Sequence, residues 1–268
     1  TLVEGGIDDA GVLSLTTKNI SALKIARDVA DSVELDGATL LLRSAAGDLL
    51  PDVYFEKVDN SWELLSYEDS ISFADNPSVH KRHNLQGPID DAFMESFVCV
   101  RGTGDAWANE SQARADATLN LFEKEFDKWL RGRVRIINDD QLTEEHIADS
   151  NLILFGDPGS NAVMSRVIDR LPVRWTKDSF EVNGHSYETK THTLSMIYPN
   201  PLNRRRYIVI NSGHTMHEKD FRASNSWLFP KLGDIAVQKY PAGANDPTRA
   251  TTVWAEMFDS NWKLSVQN

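Results

Sequence analysis

Between Asn151 and Phe155 the chain runs Asn-Leu-Ile-Leu-Phe with no polar alternation, the pattern of a strand covered on both faces. Gly156-Asp157-Pro158-Gly159 comes next as a turn signal. Ser160 or Asn161 then stands where a helix cap is expected, ahead of Val163, Met164, Val167 and Ile168 on one helical face. The same order of strand, polar turn and helix recurs upstream. Ser96 to Arg101 reads as a buried strand, and Gly102-Thr103-Gly104-Asp105 as a loop opening a helix over 106–131. In that helix Ala115, Leu119, Phe122, Phe126 and Trp129 recur at four- and three-residue steps, and Gly132 stands at the expected stop. Val134 to Ile137 is the next strand, and Thr143 heads a short capped helix. Beyond Leu171-Pro172, Phe180 to Tyr187 reads as a hairpin. Leu194 to Tyr198 and Tyr207 to Asn211 read as strands, separated by Pro199-Asn200-Pro201 and the arginines Arg204, Arg205 and Arg206. Ser212-Gly213-His214 reads as a helix entry, Trp227 to Pro230 as a loop, and Ile235 to Val237 and Thr251 to Met257 as strands. This succession predicts a flavodoxin-like, doubly wound, three-layer α/β domain over residues 81–268.

The first 80 residues carry a different period. Val12 to Thr17, Ile20 to Ile25, Ser32 to Leu35, Ala38 to Leu42, Val53 to Val58 and Trp62 to Leu64 are short strand candidates. Asp36-Gly37 and Asp59-Asn60-Ser61 are turn signals between them. They predict a small all-β, sandwich-like domain over residues 1–80, leading into a polar connector that closes at Leu85-Gln86-Gly87-Pro88.

Composition narrows the partners. The chain has 268 residues, 41% hydrophobic and 25% charged, with a net charge of −12, so it lacks the basic balance of a nucleic-acid or anionic-membrane binder. No apolar run is long enough for a membrane span. Its one cysteine, Cys99, lies in Phe97-Val98-Cys99-Val100 and reads as a buried thiol. Thr1-Leu2-Val3-Glu4 reads as the interior of a longer chain.

Candidate chemistry gathers where strands end. A parallel sheet would bring Thr103, Asn138-Asp139, Asp157, Ser160, Asn161, Asn211 and His214 to one rim, where helix N-terminal amides and side-chain acceptors can form a binding crevice. The alternative is that these residues are ordinary caps and turns. His214 and His217 stand three apart, yet the order matches no metalloprotease pattern, so no metal is expected. Asp90 and Asp91 are adjacent and would point apart, poor geometry for a shared acid–base pair. No GxSxG elbow, P-loop or complete dinucleotide fingerprint occurs, and no cofactor is expected.

Several stretches together resemble one family. They are Leu85 to Phe93, Val98 to Gly104, Ile153 to Asn161, Ile197 to Asn203 and Ile210 to Gly213. To these are added Thr17-Lys18-Asn19, Leu35-Asp36-Gly37 and Met257-Phe258-Asp259. The set is similar to the C-terminal region of bacterial prolyl-oligopeptidase-type serine peptidases, such as those of planctomycetes. That resemblance implies an α/β-hydrolase domain with the catalytic triad lying upstream, a periplasmic or extracellular setting, and no triad residue in this chain.

Three functions stand as expectations. The first is a non-catalytic accessory region that packs on, or gates, a catalytic α/β-hydrolase domain. The second is an independent hydrolase using the strand-end crevice. The third is a peptide- or carbohydrate-binding module presenting Trp62, Trp107 or Trp227 as a stacking surface.

Overall fold

The computed structural model describes residues 2–42, 51–66, 69–70, 80–82, 84–215 and 232–264. The chain divides into two compact units, Thr1–Ser78 and Val79–Asn268.

The first unit contains β1 (Leu2–Ile7), β2 (Val12–Lys18), β3 (Ala22–Ala26), β4 (Ser32–Leu35), β5 (Ala38–Leu41), β6 (Asp52–Val58) and β7 (Ser61–Leu64). Four of them form a sheet in the order β1-β2-β4-β5, and the other three a sheet in the order β3-β6-β7. Ile25, Val33, Leu35, Leu42, Val53, Phe55 and Trp62 make one apolar core. Asp36, at positive φ in the turn between β4 and β5, ties it together. Its carboxylate accepts from the Thr17 N–H and hydroxyl, from Lys57 Nζ and from Trp62 Nε1. These donors, Thr17 foremost, hold its pKa well below the usual carboxylate range. The strand β1 escaped the sequence reading because Gly5-Gly6 interrupts it and all its residues are exposed.

In the second unit a 3-10 turn (Ile89–Phe93) precedes β8 (Phe97–Arg101), α1 (Asn109–Leu130), β9 (Ile136–Asn138), α2 (Glu144–Asp149), β10 (Asn151–Phe155) and α3 (Ala162–Val167). Next come β11 (Arg174–Trp175), β12 (Ser179–Val182), β13 (His185–Glu188), β14 (His192–Asn200), β15 (Asn203–Ile210), β16 (Ile235–Lys239) and β17 (Thr251–Glu256). The main sheet has seven strands in the order β17-β16-β14-β15-β10-β8-β9, and β11-β12-β13 form a small separate sheet. Strands β9, β8, β10 and β15 are mutually parallel, whereas β14, β16 and β17 join by antiparallel pairing.

The expectation of a flavodoxin-like, doubly wound domain, with a sandwich-like domain before it, is therefore corrected. The chain is mostly β, 40% strand against 22% helix, spread over several sheets, and among the described residues it has three α-helices. The reason lies after α3, where hairpins replace helical crossovers: β14 returns directly into β15 through Asn200–Asn203. Buried strands read as continuous apolar runs whichever way they point, so their direction is not visible in their composition. The helix entry at Ser212-Gly213-His214 is non-helical through Thr215, and residues 216–231, the Trp227–Pro230 loop among them, lie outside the described residues.

Helix α1 forms for the expected reason: Ala115, Leu119 and Phe122 are buried along one stripe. It ends at Leu130, two residues before Gly132, with Arg131 left-handed at the cap and its N–H on Asp127 O. Gly132 serves a different need, because a Cβ there would lie 2.9 Å from the Phe126 ring. Strand β10 is buried throughout, and the Cys99 thiol on β8 is pushed up in pKa by burial.

Candidate functional site: the carboxyl ends of the parallel strands

The four parallel strands deliver Thr103, Asn138-Asp139, the loop 156–161 and Asn211 to Thr215 at one edge of the sheet. From β8 the chain crosses outward to β9, and from β10 it leads the other way towards β15. Such a change of direction is where an open sheet ordinarily leaves a binding crevice.

Here the crevice is filled from within. The Asp157 carboxylate accepts from Trp107 N at 3.1 Å, Ala108 N at 3.1 Å, Gly159 N at 2.9 Å and Ser160 N at 3.0 Å. One side chain thus closes its own turn and caps the approach to α1. Gly156 N donates to Asn211 Oδ1, Asp157 N to Ser160 Oγ, and Asn161 N to Asp157 O. Every backbone N–H from Gly156 to Asn161 is therefore donated inside the protein, Pro158 having none. Asn161 caps α3 through Val163 N and Met164 N and donates to Val100 O and Phe155 O. Asp139 accepts from Thr103 Oγ1 at 2.7 Å and from Ala162 N at 2.8 Å. The amides that could cradle an anion at the start of α3 are all taken.

The glycines confirm close contact between the loops. A Cβ on Gly102 would lie 2.6 Å from the Ser160 carbonyl oxygen, and one on Gly159 would lie 2.3 Å from the Trp107 ring. Asp157, Ser160, Asn161 and Asn211 are all 4% exposed or less. Asn211 takes positive φ and clasps Gly156 with both ends of its amide, donating to Gly156 O at 2.8 Å.

Asp90 and Asp91 serve different partners. Asp90 accepts from Thr215 N and Thr215 Oγ1, both at 2.7 Å, and faces His214 Nδ1 at 3.2 Å. Asp91 accepts from the Tyr207 hydroxyl, which itself accepts from Gly87 N. Burial, reinforced by the bond to Asp91, raises the Tyr207 pKa far above its ordinary value. His214 packs on the Phe93 ring, and its burial lowers its pKa against the pull of Asp90. A His–carboxylate pair is thus present, and the Thr215 hydroxyl donates to its carboxylate. His217 lies outside the described residues.

Two of the tryptophans considered as stacking surfaces are engaged: Trp62 is buried on Asp36, and Trp107 packs against Gly159. Trp227 lies outside the described residues. Among the described residues, no three His, Cys, Asp or Glu side chains come together as a metal site, and no helix is long and apolar enough to cross a membrane.

Sequence reasoning missed Tyr207 and the pair Lys81–Asp234. Asp234 is buried, accepts from Lys81 Nζ and Phe258 N, and has its pKa raised by burial. Lys81 also lies over the Trp262 ring. None carries a local signal, because each partner is more than a hundred residues away or is a backbone group. Comparison of the chain with protein-family models, curated proteins and solved structures found no match.

Proposed function

We propose that this chain is a non-catalytic accessory region of a serine hydrolase, a folded platform whose bond-breaking groups belong to a separate α/β-hydrolase domain. One observation carries the non-catalytic part: the backbone donors of residues 156–161, where an oxyanion or phosphate would be held, are all spent on internal acceptors. The resemblance to the C-terminal region of prolyl-oligopeptidase-type peptidases supports the identity of the parent. The absence of a GxSxG elbow in the chain accords with it.

The test is an ester and aminoacyl-arylamide assay on the isolated chain. The expected result is turnover no faster than buffer. Turnover that survives purification and is abolished by His214→Ala would assign the chemistry to the Asp90–His214 pair and overturn the reading. The parentage is tested separately by the reading frame upstream of Thr1, where a domain with GxSxG is expected.

A further inference from the structure

Strand β1 stands outermost in its four-stranded sheet, paired with β2 without interruption from Leu2↔Lys18 to Ile7↔Leu13. The outer side of such a strand presents a row of backbone N–H and C=O groups. Proteins usually blunt it with a lysine, a proline, a bulge or a very short strand. The seven-stranded sheet uses two of these devices: β9 at one edge has three residues, and β17 at the other skips Val253 in its register with β16. In β1 the sequence Leu-Val-Glu-Gly-Gly-Ile contains none of them, and Glu4 is its one charge. Residues opposite each other across a ladder share a face, so Ile7 continues the row Leu13–Val33, and Gly5 the row Leu15–Leu35. Val33 and Leu35 are fully buried, and Leu13 and Leu15 pack against the same core. Val3 and Ile7, on that face of β1, are 43% and 51% exposed. The apolar face of the sheet therefore runs out to its edge strand and is open to solvent there.

We infer that β1 is a self-association edge, pairing antiparallel with β1 of a second copy about a twofold axis. Alternate residues direct their backbone groups to the open side, so the axis must pass through a residue and not between two. The axes that keep most of the strand in register pass through Glu4 or through Gly5. An axis at Glu4 sets two carboxylates directly opposite each other, which is destabilising. An axis at Gly5 sets Val3 against Ile7 of the copy, twice, and Glu4 against Gly6, with no side chain at the axis itself. The core-side face of β1 thus reads as apolar, glycine, apolar about Gly5, and it matches its own inverted copy. Pairing there joins the apolar faces of two sheets across the edge and satisfies the outer backbone groups of both strands. A strand of an unrelated protein could use the same backbone groups, but the symmetry about Gly5 favours a second copy. The inference is independent of the accessory reading, and either can fail without the other.

The test is sedimentation velocity of the full chain over a concentration series, comparing the unaltered chain, V3K/I7K and L41K. The first variant sets like charges opposite each other across the proposed axis, and the second alters an exposed leucine on β5, at the other edge of the same sheet. The expected result is a reversible dimer whose dissociation constant rises about tenfold or more in V3K/I7K and stays within about twofold in L41K. Disulfide trapping reads the register independently of how well V3K/I7K folds. Cys99 is buried and is the chain's one cysteine, so it does not compete. Under one mild oxidant, V3C mixed with I7C should link faster than E4C links with itself, because Val3 lies opposite Ile7 of the copy and Glu4 does not lie opposite Glu4. A chain that is monomeric at every concentration, a dimer unaffected by V3K/I7K, or faster linking of E4C would each overturn the proposal.

Discussion

Strand β15 joins two regions that treat polar groups in opposite ways. At its carboxyl end Asn211, Asp157, Asn161 and Ser160 are buried and bonded to backbone groups of the adjoining loops and strands. At its amino end Arg204 and Arg205 are exposed, with Arg170 beside them. The first region has the residue types usually associated with catalysis, yet its hydrogen-bonding capacity is directed inward. In the second, Arg204 and Arg205 are exposed, and Arg206 is paired with Glu95. Residue type alone therefore does not locate function. What decides it is whether donors and acceptors are already satisfied when the chain is alone.

The contrast can be broken most forcefully at Asp157. Asp157→Ala removes the acceptor of Trp107 N, Ala108 N and Gly159 N, Ser160 N keeping the Asp157 carbonyl, and should cost about 3 kcal/mol, since each unmade buried bond costs about 1–3 kcal/mol. Urea unfolding measures it, and a cost below about 1 kcal/mol would show that water already reaches these amides. Gly102→Ala drives a methyl group into the Ser160 carbonyl and should cost about 2 kcal/mol, because backbone on both sides must move. R170E/R204E, by contrast, should change stability by no more than about 0.5 kcal/mol, as expected of exposed positions.

A smaller effect concerns pH. His214 has its pKa lowered from 6.5, by burial first, with Asp90 opposing. A histidine with a depressed folded-state pKa binds its proton more readily when unfolded. Its contribution to stability is therefore complete above 6.5 and declines as pH falls through that value. Asp90→Asn removes the opposing charge, so the decline on acidification should steepen relative to the parent. Urea midpoints at about pH 8 and about pH 5.5 read this, and identical slopes for the two proteins would exclude the pairing.

Much of the local structure was legible in the sequence. Strand β10 announced itself as an unbroken apolar run, α1 as a stripe from Ala115 to Trp129, and the α3 cap as Ser160 or Asn161, of which the structure uses Asn161. The topology beyond α3 was not, because Leu194–Tyr198 and Tyr207–Ile210 would be equally apolar in a parallel or an antiparallel sheet. The residues of the rim could be named, but not their state. Asp157 beside Pro158 and Gly159 looks the same whether its carboxylate awaits a ligand or caps the approach to α1 some fifty positions upstream. The glycines held the missing signal: Gly102, Gly156 and Gly159 mark loops pressed against one another, which becomes readable only when their partners are known.

The strand-end loops are sealed by their own bonds, and the non-catalytic reading rests on that seal. Native-state hydrogen exchange at Trp107, Ala108, Gly159 and Ser160 tests it most directly. If the Asp157 carboxylate holds these amides, they should exchange as slowly as those of β10 and speed up together in Asp157→Ala. Exchange at the rate of an open surface loop in the unaltered chain would contradict it and return this edge of the sheet to the status of an accessible binding crevice.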